Sequence, residues 1–149
     1  MPPAFPEGFQ VPIGLRLNQA ARAVERAFDE ALAAAGGTLP TWLVLLNLVI
    51  HKPATQKDLA EKVGIKEATL THHLNALEER GLITRSRVAG NRRVQVVALS
   101  DAGEAAFLRL REAAIAFDAK LRAGLSDADV NHLHALLGTL AAIAGGPLP

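Results

Sequence analysis

Residues 55–99 read TQKDLAEKVGIKEATLTHHLNALEERGLITRSRVAGNRRVQVVAL, and the fold turns on where the hydrophobic period changes inside this stretch. Thr55, with Asp58 three positions on, forms an imperfect capping box, so a short helix starts there and stops at Gly64. Leu70, Leu74 and Leu77 then recur at helical spacing from about Glu67 to Arg80, and Gly81 ends this second helix. Beyond it the period drops to two. Leu82 to Val88 and Arg93 to Leu99 read as strands joined by the turn Ala89-Gly90-Asn91-Arg92, a hairpin. A short helix, a glycine-bearing turn, a second helix and a basic hairpin together have the layout of a winged helix-turn-helix.

The outer face of the second helix carries the chemistry. With Leu70 pointing inward, a 100° step per residue puts Ala68, Thr71, His72 and Asn75 on the opposite side, and none of them is acidic. Small and hydrogen-bonding residues on a helix that fits the major groove suit base edges and phosphates. Arginine in a hairpin suits the concentrated negative potential of a minor groove.

Charge is distributed accordingly. The whole chain has a net charge of +1, but residues 55–95 hold eight Lys/Arg against five Asp/Glu, and the remainder is net −2. No acid occurs between Glu79 and Asp101, whereas Arg80, Arg85, Arg87, Arg92 and Arg93 all do. A local cationic strip in a neutral protein points to a polyanion.

Upstream, Thr38-Leu39-Pro40 opens an apolar helix that runs to about His51 and is expected at the buried centre, with Lys52-Pro53 closing it. Before it, Ile13, Leu17, Ala20, Val24, Phe28, Ala31 and Ala35 trace a helix ended by Gly36-Gly37. Pro2, Pro3, Pro6 and Pro12 make residues 1–12 an extended arm. Downstream, Ser100 caps a long helix to about Ala123 with a seam through Phe107, Leu110, Ala114, Phe117 and Leu121. Ser126 starts a last helix whose Val130, Leu133, Leu137, Leu140 and Ala144 repeat the spacing. The fold class is therefore mainly α (α+β): a winged helix-turn-helix over residues 39–99, with residues 13–38 and 100–144 as a helical region intertwined with it. A lone protomer would expose the seams of the first, fifth and sixth helices, so a homodimer is expected.

Composition excludes much else. In 149 residues, 28 Ala and 23 Leu favour helix, and an apolar share of 50% is too high for disorder. Without cysteine there is no disulfide framework, thiolate zinc finger or iron–sulfur cluster. The longest nearly apolar run, Trp42 to Ile50, is far short of a membrane span, and the first residues lack a secretion signal. A soluble, cytoplasmic protein that does not enter the membrane is expected. Neither His72-His73 nor His132 with His134 has one-face metal spacing, and His51 reads as a cationic helix cap. No Gly-rich phosphate loop, nucleophile elbow or HExxH occurs, so neither enzyme, cofactor nor metal is expected.

The runs Leu59–Ile65, Ala68–Thr71 and Leu77–Ile83 resemble the core of MarR-type transcriptional regulators. So do Leu39–Leu45 upstream and Leu99–Gly103 downstream, and the resemblance covers about residues 13–144. It implies a homodimer with interlocked first and last helices that binds double-stranded DNA at a palindromic operator. It further implies a repressor released by a small, aromatic or phenolic ligand. Lys66, Thr69, Thr71, His72, His73 and Asn75 would then serve the major groove and its phosphates, and Arg85, Arg87, Arg92 and Arg93 the wing. Trp42 would wall the effector site, and Arg16 would pair with an acidic ligand. Two positions depart from the family pattern. Asn91-Arg92-Arg93 replaces Asp-x-Arg in the wing, so no full ion pair orients Arg93. Lys66 replaces a Ser at the start of the recognition helix, which weakens the cap. Two other functions fit the same residues: an architectural DNA-binding protein without effector, and a winged-helix module for protein–protein contact. The uncompensated arginines at 85, 87, 92 and 93 argue against the second.

Overall fold

Leucines at helical spacing dictate the packing. In the computed structural model, which describes residues 10–52 and 54–146, the chain runs α1 (Ile13–Ala34), α2 (Leu39–His51), β1 (Ala54–Thr55), α3 (Gln56–Val63), α4 (Glu67–Glu79), β2 (Ile83–Val88), β3 (Asn91–Leu99), α5 (Asp101–Ala123) and α6 (Asp127–Ile143). Residues 1–9 of the expected N-terminal arm, and Pro53, lie outside the described residues.

Four helix starts are fixed by hydroxyl caps that take up otherwise unpaired backbone donors, that of α5 by Ser100, which accepts from the Gly103 N–H. Thr38 accepts from the Thr41 N–H, Thr55 from that of Asp58, and Ser126 from that of Asp129 in a reciprocal capping box. The Asp129 carboxyl is held below its ordinary pKa by the Ser126 hydroxyl and backbone N–H that donate to it. As anticipated, Lys66 gives α4 no side-chain cap. Gly64 closes α3 in the left-handed region at φ 77°, which lets the chain turn directly into α4.

The core sits where α2 meets everything else. Val44, Leu45 and Leu48 of α2 pack in one buried cluster with Leu59 of α3, Leu70, Leu74 and Leu77 of α4, Ile83 of β2, Val97 of β3 and Leu110 of α5. Trp42 stacks on Phe107, and Phe28 packs on Phe117, tying α2 and α1 respectively to α5. The sheet is antiparallel in the order β1-β3-β2. β1, which no alternation in the sequence announces, pairs Ala54 with Val97 and Thr55 with Val96.

α5 is locked to the corner between α4 and β2. The Ser100 hydroxyl donates to the Gly81 carbonyl at 2.5 Å and accepts from the Gly103 N–H, and the Ser100 N–H donates to the Leu82 carbonyl. The approach is so close that a Cβ on Gly103 would overlap that carbonyl. By contrast, α6 has no buried residue, and the N-terminal half of α1 is exposed throughout. Among the described residues no single helix is long and apolar enough to cross a membrane.

Candidate nucleic-acid interface

α4 presents a polar face because its leucines are spent inward. With Leu70, Leu74 and Leu77 buried, Lys66, Ala68, Thr69, His72 and Asn75 are left exposed. Thr71 is half-buried and already engaged: it accepts from Gln56 Nε2 at 2.6 Å and donates to the Glu67 carbonyl at 2.9 Å. Its single O–H is therefore used within the chain, and it couples α3 to α4. His73 is half-buried and faces a cleft shared with Thr41, Ala76 and Arg80, while His72 next to it is exposed. His72 and His73 thus diverge, as adjacent helical residues must.

The wing has a two-residue turn, Ala89-Gly90, with Gly90 at φ 85°, shorter than the sequence suggested. Val88 pairs with Asn91 but Arg87 pairs with Gln95, so Arg92, Arg93 and Val94 form a bulge in β3. A bulge re-aims side chains. Arg92 is exposed, and Arg93 lines a cleft between the wing and α3 and α4, together with Gln56, Lys57, Glu67 and Thr71. Asn91 does not reach the Arg93 guanidinium; its Oδ1 accepts from the Arg93 backbone N–H at 3.2 Å. Arg87 is exposed at the side of the sheet.

Arg85 behaves differently. Strand alternation from buried Ile83 turns it toward α4, where its Nε and Nη2 donate to one Glu78 carboxylate oxygen at 3.0 and 2.5 Å. Nη2 also donates to Asn75 Oδ1 at 2.6 Å, and the Arg85 side chain is only 17% exposed. The reading of Arg85 as an uncompensated cation is therefore corrected: Glu78 pairs with it. Those hydrogen bonds hold the Glu78 carboxyl below its ordinary pKa.

Gln56, Lys57 and Gln95 also line the cleft, and sequence reasoning did not select them. Gln56 immediately follows a helix cap, and nothing in its neighbourhood marks it as a bridge between helices. His51, expected as a cationic cap, instead faces the Lys62 ammonium at 3.3 Å from Nδ1. Lysine only donates, so that nitrogen accepts.

The MarR family model matches residues 38–94. A probable transcriptional regulator from Pseudomonas aeruginosa, known from its crystal structure, is 31% identical, with a TM-score of 0.75 over 87% of this chain and 96% of that one. The chain belongs to the MarR family. It is also similar to the transcriptional repressor CouR, solved bound to a 23-mer DNA duplex, at 29% identity and a TM-score of 0.79 over 87% of this chain and 92% of that one. The uncharacterized HTH-type transcriptional regulator YdgJ of Bacillus subtilis (strain 168) is 35% identical over 81 residues, 54% of this chain. That match spans 49%, about half, of YdgJ's own length. MarR-family proteins are transcriptional regulators and not enzymes. Within the MarR matching segment lie α4 and the first residues of β3, which carry the exposed polar face and Arg92 and Arg93 respectively.

A cavity of about 420 Å³ opens between α2, the end of β3 and the start of α5, lined by Leu48, Val49, Ala98, Leu99, Phe107 and Leu108, with Lys52 and Glu104. Neither Trp42 nor Arg16 lines it. Trp42 reaches it only through its stack on Phe107, and Arg16 is exposed on α1.

Proposed function

We propose that this chain is a cytoplasmic, homodimeric repressor of transcription that grips double-stranded DNA through α4 and the wing and is released by a small aromatic acid. The observation that carries the reading is the exposed face of Lys66, Thr69, His72 and Asn75 standing beside a bulge that offers Arg92 and Arg93, all set on one leucine core. CouR, with which the fold is shared over most of both chains, was solved on a DNA duplex, and that supports the same partner here. In this reading residues 39–99 form the DNA-binding lobe and residues 13–38 and 100–144 the dimer region, with residues 1–12 as an arm.

Pairing is supported by apolar side chains left open at both ends of the chain. Ile13 of α1 is 69% exposed and Ile143 of α6 is 78% exposed, and Leu15, Leu133 and Leu136 are about half exposed. Covering such surface is favourable by about 25 cal/mol per Å². A two-fold pair presents two copies of α4, which matches a palindrome with half-sites about 10 base pairs apart. The cavity on Phe107 is mostly apolar, and of its two charged lining residues, Lys52 and Glu104, Lys52 would meet the carboxylate of an aromatic acid.

The test is binding of the full chain to duplexes drawn from the DNA beside its own gene, followed by anisotropy, with its mass in solution measured by light scattering. A dimer that holds a palindrome in dilute salt, lets go at high salt and is displaced by phenolic acids is expected. A monomer that ignores duplexes in dilute buffer would overturn the proposal.

A further inference from the structure

Asn75 is the exposed residue of α4 whose amide is already half-committed inside the protein. Its Oδ1 lies 2.6 Å from Arg85 Nη2. A guanidinium has donors and no acceptor, so the atom facing it must be the carbonyl oxygen; a flipped amide would set N–H against N–H. Arg85 cannot swing away to relieve this. It comes from β2, its side chain is 17% exposed, and Glu78, three residues after Asn75 on the same helix, holds it through two hydrogen bonds. What remains open on Asn75 is Nδ2, with two hydrogens and no partner among the hydrogen bonds of the described residues.

We infer that Arg85 is a positioning residue that fixes the Asn75 amide with its nitrogen outward, so that α4 donates at this position and selects guanine over adenine. The inference rests on the DNA-binding reading above. In the major groove guanine offers two acceptors, N7 and O6. The bidentate pairing of asparagine with adenine needs the amide oxygen to accept from N6 while the nitrogen donates to N7. That oxygen is held here by a cation anchored through Glu78, one turn along the same face of the helix. Cytosine, which presents an amino donor, is disfavoured for the same reason.

The experiment selects binding sites for the full-length chain from a library of duplexes with a randomised core, then measures binding against salt. The wild type is expected to enrich guanine at one position of each half-site by roughly five- to 150-fold over adenine, the range for a bidentate base contact. Arg85→Ala should lose that preference at that position alone, with the slope of affinity against salt unchanged, since Arg85 is paired with Glu78 and its Nε and Nη2 donate to Glu78 and Asn75. Glu78→Gln, which loosens Arg85 without deleting it, should relax the same position, and it carries the test if Arg85→Ala fails to fold. A preference that survives both variants overturns the inference, as does a wild-type preference for adenine at that position. A salt slope lowered by about one in Arg85→Ala, the sign of a lost phosphate contact, does so too. A wild type that enriches no sequence overturns the proposed function itself, a result distinct from any of these.

Discussion

Trp42 and Phe107 lie ring on ring, with centroids 5.6 Å apart and planes 3° from parallel. The stack joins the central helix α2 to α5, and the Phe107 ring also lines the cavity beside it. One side chain thus contributes both to core cohesion and to the wall a ligand would meet. Phe107→Ala should destabilise the fold by about 3–5 kcal/mol, the usual cost of deleting a buried phenylalanine. Urea unfolding followed by fluorescence checks this directly, since Trp42 is the sole tryptophan and reports on the stack. A loss below 1 kcal/mol would mean that the stack is peripheral.

Gly103 sits where α5 crosses the Leu82 carbonyl, and a methyl group there has no room. Because the obstructing atom is backbone, Gly103→Ala should cost about 1–3 kcal/mol or more as the helix is pushed off the hairpin. Gly14 in α1, where a Cβ would meet nothing within 4 Å, is the control. Gly14→Ala should be neutral or stabilising by up to about 1 kcal/mol. Melting temperatures of the two variants separate the cases.

Lys66 opens α4 without a side-chain cap. Lys66→Ser supplies the missing acceptor and should raise stability by about 1 kcal/mol. It also deletes a cation from the proposed interface, so affinity for duplex should fall while the melting temperature rises. An affinity that holds or rises in Lys66→Ser would exclude a phosphate contact at Lys66.

Arg93 reaches into the cleft between wing and helices and holds no ion pair among the described residues. Arg93→Ala should leave stability within about 0.5 kcal/mol of the wild type. It should also lower the slope of log affinity against log salt by about one. Titration at several salt concentrations reads both the loss and its electrostatic origin; an unchanged slope removes Arg93 from the contacts.

Acid should untie Arg85 from Glu78. The Glu78 carboxyl is held below its ordinary pKa by the hydrogen bonds from Arg85, so the folded chain binds this proton less readily than the unfolded one. The contribution is complete above the unfolded value of about 4.3 and is lost as pH falls through the lower folded value. The stability gap between wild type and Glu78→Gln should therefore stay constant from pH 7 to about pH 5 and close under stronger acid. Denaturant midpoints across that range are the check, and a gap that widens in acid would contradict it.

What could be read from the chain alone was what local chemistry dictates. Leu70, Leu74 and Leu77 announced α4, Thr38 and Ser126 announced helix starts, and the alternation after Gly81 announced the hairpin. These signals stay within a few residues of one another. β1 was invisible because two residues, Ala54 and Thr55, have no period of their own and become a strand only by pairing with β3. The wing bulge was equally hidden, since it depends on register against Arg87 and not on composition. Arg85 is the instructive case. Counting charges made it a free cation, yet alternation from Ile83 already turned it toward α4, where Glu78 waits. Which residues line the cavity on Phe107 is a tertiary relation that no spacing in the sequence encodes, and neither Trp42 nor Arg16 is among them.

No residue of α6 is fully buried by its own chain. A helix of 17 residues left alone in water is marginal, because nucleation is costly and propagation yields little. If a second chain supplies the missing cover, ordering of this tail and association become a single event governed by mass action. Copy number then enters the chemistry. At low dose the tail frays and each DNA-binding lobe is on its own, whereas above a threshold both lobes are held at fixed spacing, so the protein's abundance sets how sharply it acts.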